Sequence, residues 1–131
     1  IIKLERQPFV YVLFHTKTKK YYIGCKYSEK NCHPDLLLNY EVANGYFTSS
    51  NTIRDILKRE GKKHLRIAHI FECKDPLKLE SFLLFNVKKL NKMKRLYNYY
   101  NLPNKENYDS KDKFFLECLS LIKKDIMYPR K

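Results

Sequence analysis

The sequence predicts an α+β fold with strands and helices in the order β-β-α-α-β-α, followed by a C-terminal helix. Three observations predict it. Residues 9–15 and 20–26 are rich in aromatic and β-branched side chains and are parted by a short polar segment, the pattern of a hairpin. A third strand-like run follows at Leu65–Cys73. Other stretches carry apolar residues at helical spacing. At 131 residues, the chain has room for a single domain, 1–131, with a modest core.

Each element has its own justification. Phe9-Val10-Tyr11-Val12-Leu13-Phe14 and Tyr21-Tyr22-Ile23-Gly24 form the two hairpin strands. A turn centred between Thr16 and Lys17 would set Tyr11 directly opposite Tyr22, with Cβ atoms ~5 Å apart. Alternation adds Gly24 and Lys26 to the Tyr22 face, and Gly24 is expected to leave that face open to a bulky backbone such as nucleic acid. His33-Pro34-Asp35-Leu36-Leu37-Leu38 suggests a short helix with proline in its first turn. Residues 52–60 read as an amphipathic helix: Ile53, Ile56 and Leu57 on one side, Arg54, Lys58 and Arg59 on the other. Ser50, Asn51 or Thr52 can cap this helix, and Gly61 stops it. Asp75-Pro76 opens a long helix to about Lys94. An Asn-rich loop covers residues 98–108. Asp109 or Ser110 caps a last helix to about Met127, with Phe115, Leu119, Ile122 and Ile126 on one face.

Charge points to a partner. Lysine and arginine number 27 against 14 acids, a net charge of +13. Such an excess calls for a polyanion, and nucleic acid comes before an anionic membrane surface. No apolar run approaches the ~18 residues of a membrane-spanning helix, so no membrane is expected. The chain opens at Ile1 without a methionine, so no targeting signal is judged from it. The cysteines are Cys25, Cys32, Cys73 and Cys118. Cys25, Cys32 and His33 match no structural zinc spacing. Free thiols in a reducing, intracellular compartment, cytoplasmic or nucleoid-associated, are expected instead.

Val10-Tyr11 followed by Tyr22-Ile23-Gly24, at this separation, resembles the GIY-YIG nuclease module of homing endonucleases and repair nucleases. Tyr22-Ile23-Gly24 matches its second half in full. In Phe9-Val10-Tyr11 only the tyrosine matches. The resemblance covers about residues 8–99 and implies a small three-stranded antiparallel sheet flanked by helices. The helix at about 109–127 is an extension to that module: a structural addition, a dimer element or a DNA clamp. From the residues alone, the tyrosines are equally well read as half-buried core.

Glu80 is the next informative residue. It lies in an apolar row with Leu77, Leu84 and Val87, where a carboxylate is costly unless paired or metal-bound. A rim glutamate paired with a lysine such as Lys78 is the simpler alternative. The resemblance implies that Glu80 holds one divalent cation, magnesium first and manganese second. It implies a role near the site for Asn98, which follows Tyr97. The family's arginine after the second strand has no counterpart, since residues 27–53 contain none. Lys26 on the Tyr22 face is the expected substitute, and Arg54 competes with it. Lysine lacks arginine's bidentate fork.

The resulting expectation is a metal-dependent DNA endonuclease. Tyr11, Tyr22, Lys26, Glu80 and Asn98 would be catalytic, and Lys20, His33, Arg54, Lys58 and Arg59 would touch the nucleic acid. A homodimer is one option for its assembly. The alternatives are a basic nucleic-acid-binding module without catalysis and, from charge alone, a structural or scaffold protein on ribosomal RNA.

Overall fold

The structure, a computed structural model, describes residues 8–26, 51–90 and 111–127. Strand β1 spans Phe9–His15 and β2 spans Lys20–Lys26; they form an antiparallel hairpin. Helix α1 covers Asn51–Glu60, strand β3 Leu65–Glu72, helix α2 Pro76–Leu90 and helix α3 Lys113–Met127. The sheet order is β2-β1-β3 with every pairing antiparallel, so β1 is central. The chain is α+β, as expected. The short helix at 33–38, the loop at 98–108 and the last turn toward Lys94 lie outside the described residues.

β1 is buried along its whole length because helices cover both faces of the sheet. Val10, Val12 and Phe14 pack with Tyr21, Ile23 and Phe71 under α2 and α3. Phe9, Tyr11 and Leu13 pack with Tyr22 and Leu65 under Ile53, Ile56 and Leu57 of α1. Period-two alternation sorts the strand residues between these two layers. A bulge in β3 corrects the sorting. Val12 pairs with His69 but Leu13 pairs with Ile67, leaving Ala68 as the extra residue. Ala68 packs in the α2/α3 layer, while Leu65 and Ile70, five positions apart, both reach the α1 layer.

The hairpin register differs from the expected one. Tyr11 pairs with Gly24, and Tyr22 pairs with Leu13. The turn occupies the four residues Thr16 to Lys19 and is centred one position later than the sequence suggested. Two features set it there. Lys19 adopts a left-handed φ of 60° and donates its amide to His15 O at 2.8 Å. His15, buried as the last strand residue, is held at one ring nitrogen by Thr18 Oγ1 at 2.8 Å. Both partners of each pair move together, so Tyr11 and Tyr22 still share a face.

Helix ends follow local chemistry. Gly61, at φ 68°, donates to Leu57 O at 2.9 Å and ends α1 as expected. Asp75 accepts the Lys78 amide at 3.3 Å, with Pro76 at the first helical position of α2. Asp112, not Asp109 or Ser110, caps α3: its Oδ1 accepts the Phe114 amide at 2.8 Å. Asp112 stands immediately before the helix, the position from which a carboxylate reaches the second and third amides.

The extension is part of the core. Cys118, Leu119, Ile122 and Ile126 of α3 are buried in the layer that contains Leu79, Leu83 and Val87 of α2. Phe115 lies 5.6 Å from Phe82, ring to ring. His69 Nε2 and Asp125 Oδ2, 2.5 Å apart, pin β3 to α3. No helix among the described residues is long and apolar enough to cross a membrane.

Candidate functional site

The two tyrosines meet diagonally across the hairpin. Their ring centroids are 6.0 Å apart at 42°. Tyr11 also touches Phe9, at 6.3 Å. Gly24 does not leave this face open. Its missing side chain is filled by the phenol of Tyr11: a Cβ at position 24 would stand 2.5 Å from both Cζ and the hydroxyl oxygen of Tyr11, and 2.9 Å from Tyr22. The glycine therefore admits a neighbouring ring rather than an outside backbone. α1 covers the pair, and Tyr11 is 1% exposed and Tyr22 7%.

The cations lie around this layer. Lys26 ends β2 opposite Phe9, half-buried, and alternation puts it on the Tyr22 side. Arg54 is half-buried on α1 next to Ile53, which packs in the tyrosine layer. Lys58 and Arg59 are exposed at the end of α1. Lys20 is half-buried opposite His15, at the turn end of the hairpin.

Glu80 sits elsewhere. Its partner is the thiol of Cys25, which donates to the carboxylate. Cys25 packs against the α2/α3 layer, on the opposite side of β2 from Gly24 and Lys26. Burial pushes the Glu80 carboxyl above its ordinary range, and the Cys25 hydrogen bond only partly opposes this. Burial pushes the Cys25 thiol up as well, with the Glu80 charge adding to it. Cys73 and Cys118 are likewise raised by burial, Cys118 to about 12. No described cysteine is thus a ready thiolate nucleophile.

The apolar row that singled out Glu80 is partly corrected. Leu84 and Val87 are buried, but Leu77 is 45% exposed. Leu77 falls in the first turn of α2, one heptad before Leu84, where no described element covers it. The buried face centres on Leu79 and Leu83, and Glu80 lies at its margin.

Thus the structure brings Tyr11 and Tyr22 together, sets Lys26 on their side and puts Glu80 with Cys25 across the sheet. His33, Cys32 and Asn98 lie outside the described residues. Among the described residues no group of three His, Cys, Asp or Glu side chains could hold a metal. Glu80 fits the expected cation as a single carboxylate anchor. Magnesium takes one or two carboxylates and completes its shell with water and phosphate oxygens, and the soft thiol of Cys25 is not a ligand for it.

Sequence reasoning missed one cluster. His15 Nε2 lies 3.0 Å from Glu60 Oε2, and the Lys17 ammonium donates to Glu60 Oε1 at 3.1 Å. These contacts hold the Glu60 carboxyl below its ordinary value, Lys17 contributing most and His15 next. A 45-residue separation between His15 and Glu60 leaves no local signal for the contact.

Comparison of the chain with protein-family models, curated proteins and solved structures finds no match.

Proposed function

We propose that the chain is a GIY-YIG-type endonuclease that hydrolyses DNA phosphodiester bonds with the help of a divalent cation. The observation that carries the reading is the tyrosine pair, with Tyr11 of the central strand seated on Gly24 beside Tyr22 of β2. The sheet order and the place of the Glu80 helix after the third strand agree with the resemblance, while Glu80 itself lies across the sheet from the tyrosine pair. In this reading Tyr11 takes the proton of the attacking water, and Tyr22 orients the water or the phosphate through its hydroxyl. Lys26 balances charge that develops on the phosphoryl oxygens. Glu80 is the residue that would hold the cation, whose chemistry is charge stabilisation at the phosphate.

A second reading has its own support. Tyr11 is almost wholly buried, and Glu80 is engaged by Cys25 on the far side of the sheet. Here the tyrosines are packing, and the basic surface binds nucleic acid without cutting it. The deciding experiment is cleavage of supercoiled plasmid DNA with magnesium, with and without excess EDTA. The nuclease reading expects nicking or linearisation that EDTA abolishes and that Glu80→Gln removes. Duplex binding with no cleavage under any divalent cation would leave the binding module.

A further inference from the structure

We infer that the turn end of the sheet is a docking site for the phosphate backbone of duplex DNA, separate from the tyrosine pair. The inference rests on the DNA partner proposed above, but not on the chemistry.

Two loops distant in sequence are joined there. The Thr16 amide donates to His64 O at 2.8 Å, and the Thr16 hydroxyl donates to the same carbonyl at 3.3 Å. His15 and Lys17 reach across to Glu60 at the end of α1. The hairpin turn and the α1–β3 turn therefore form one surface. Residues 15–20 and 58–66 together contain eight lysines and arginines and a single acid, Glu60. These fifteen residues supply more than half of the chain's +13.

The one acid is not available to offset its neighbours. Its two carboxylate oxygens are occupied by His15 and Lys17, which also bind the two loops together. Lys17 thus serves the junction. Lys19, Lys58, Arg59, Lys62, Lys63 and Arg66 are the exposed cations that remain around it. Lys19, exposed at a left-handed φ of 60°, holds its ammonium 5.8 Å from the Phe14 ring centre. Packing so many like charges onto joined loops costs self-repulsion, which a polyanion relieves.

The position suits a duplex. His15 pairs with Lys20 at this end, and Tyr11 pairs with Gly24 four residues further along. That separation is ~13 Å along the strand. One turn of duplex spans ~34 Å, so a single DNA molecule can cover both places.

The test is binding of a short fluorescent duplex in EDTA, measured by anisotropy across a salt series. Each phosphate contact contributes about −0.9 to the slope of log K against log salt. The Lys62→Ala/Lys63→Ala double variant is expected to flatten the slope by about two and to weaken binding tenfold or more near 0.1 M salt. The control replaces Lys111 and Lys113, exposed lysines outside the two loops, with alanine and should keep most of the wild-type slope. Far-UV circular dichroism and melting curves establish that both variants fold. Equal losses in both variants would reduce the effect to net charge and overturn the inference, as would an unchanged slope in the first. Binding to anionic phosphatidylserine vesicles but not to the duplex would also overturn it, in favour of a lipid surface. Plasmid cleavage by the wild type is read separately. A wild type that binds through these loops but never cuts removes the nuclease reading and leaves this one. A wild type that cuts while the double variant binds normally does the reverse.

Discussion

Gly24 and Tyr11 fit together because one of them has no Cβ: the Tyr11 hydroxyl lies where the first side-chain carbon of residue 24 would be, 2.5 Å from it. Gly24 has no positive φ, so space alone requires glycine here. Gly24→Ala is expected to destabilise the protein by about 1–3 kcal/mol, the range for forcing extra carbon into a packed site. In a Tyr11→Ala background most of that penalty should vanish. A double-mutant cycle from urea denaturation measures the coupling. Additive effects would mean that the ring does not occupy the glycine's space.

The hydroxyls are tested without disturbing the rings. Tyr11→Phe and Tyr22→Phe should each lower single-turnover cleavage on the order of 10²–10⁴-fold if the phenols take part in proton transfer. Melting temperatures measured in parallel distinguish this from packing loss. Wild-type rates in either variant would return that tyrosine to the core.

Glu80 and Glu60 should leave opposite marks on stability against pH. Burial raises the Glu80 carboxyl above 4.5, so the native state holds its proton more tightly than the unfolded chain. Stability should then fall as pH rises from about 4.5 through the raised native value, and level off above it. Glu80→Gln should therefore melt higher than wild type at neutral pH, with the gap closing below pH 4.5. Glu60 is lowered by Lys17 and then His15, so its contribution is present above 4.5 and is lost as pH falls through the native value. Glu60→Gln should melt lower at neutral pH and converge with wild type in acid. Melting curves from pH 3 to 8 test both signs.

In the nuclease reading, Lys26 and Arg54 are the two candidates for the positive side chain beside the phosphate. Lys26 shares the Tyr22 side of β2, so Lys26→Ala should slow the chemical step sharply with little loss of DNA affinity. Lys26→Arg should retain a good part of the rate. Arg54→Ala should chiefly weaken binding and reduce its salt dependence. Single-turnover rates beside anisotropy titrations separate the two. The reverse pattern would move the cation to α1.

The elements were legible in the sequence because their signals are local. The aromatic and β-branched run through Phe9–Phe14, the turn glycine at Gly61 and the Asp75-Pro76 start are set by neighbours a few positions away, and the structure bears out each of them. The apolar stripe of α3 was legible for the same reason. So was the shared face of Tyr11 and Tyr22, since strand parity survives a shift of the turn.

Only the tertiary structure decided which of these residues meet. The turn settled one position later because His15 finds Thr18 nearby and Glu60 forty-five residues away. The bulge at Ala68 restored Leu65 to the α1 layer, a correction that strand periodicity cannot show. Glu80 stood out in the sequence as a carboxylate among apolar neighbours, but its partner Cys25 and its side of the sheet follow from how α2 lies on β2. Local propensity is a property of short stretches of chain. Contacts across the sheet depend on layer order and register, which are fixed only when both faces of β1 are buried at once.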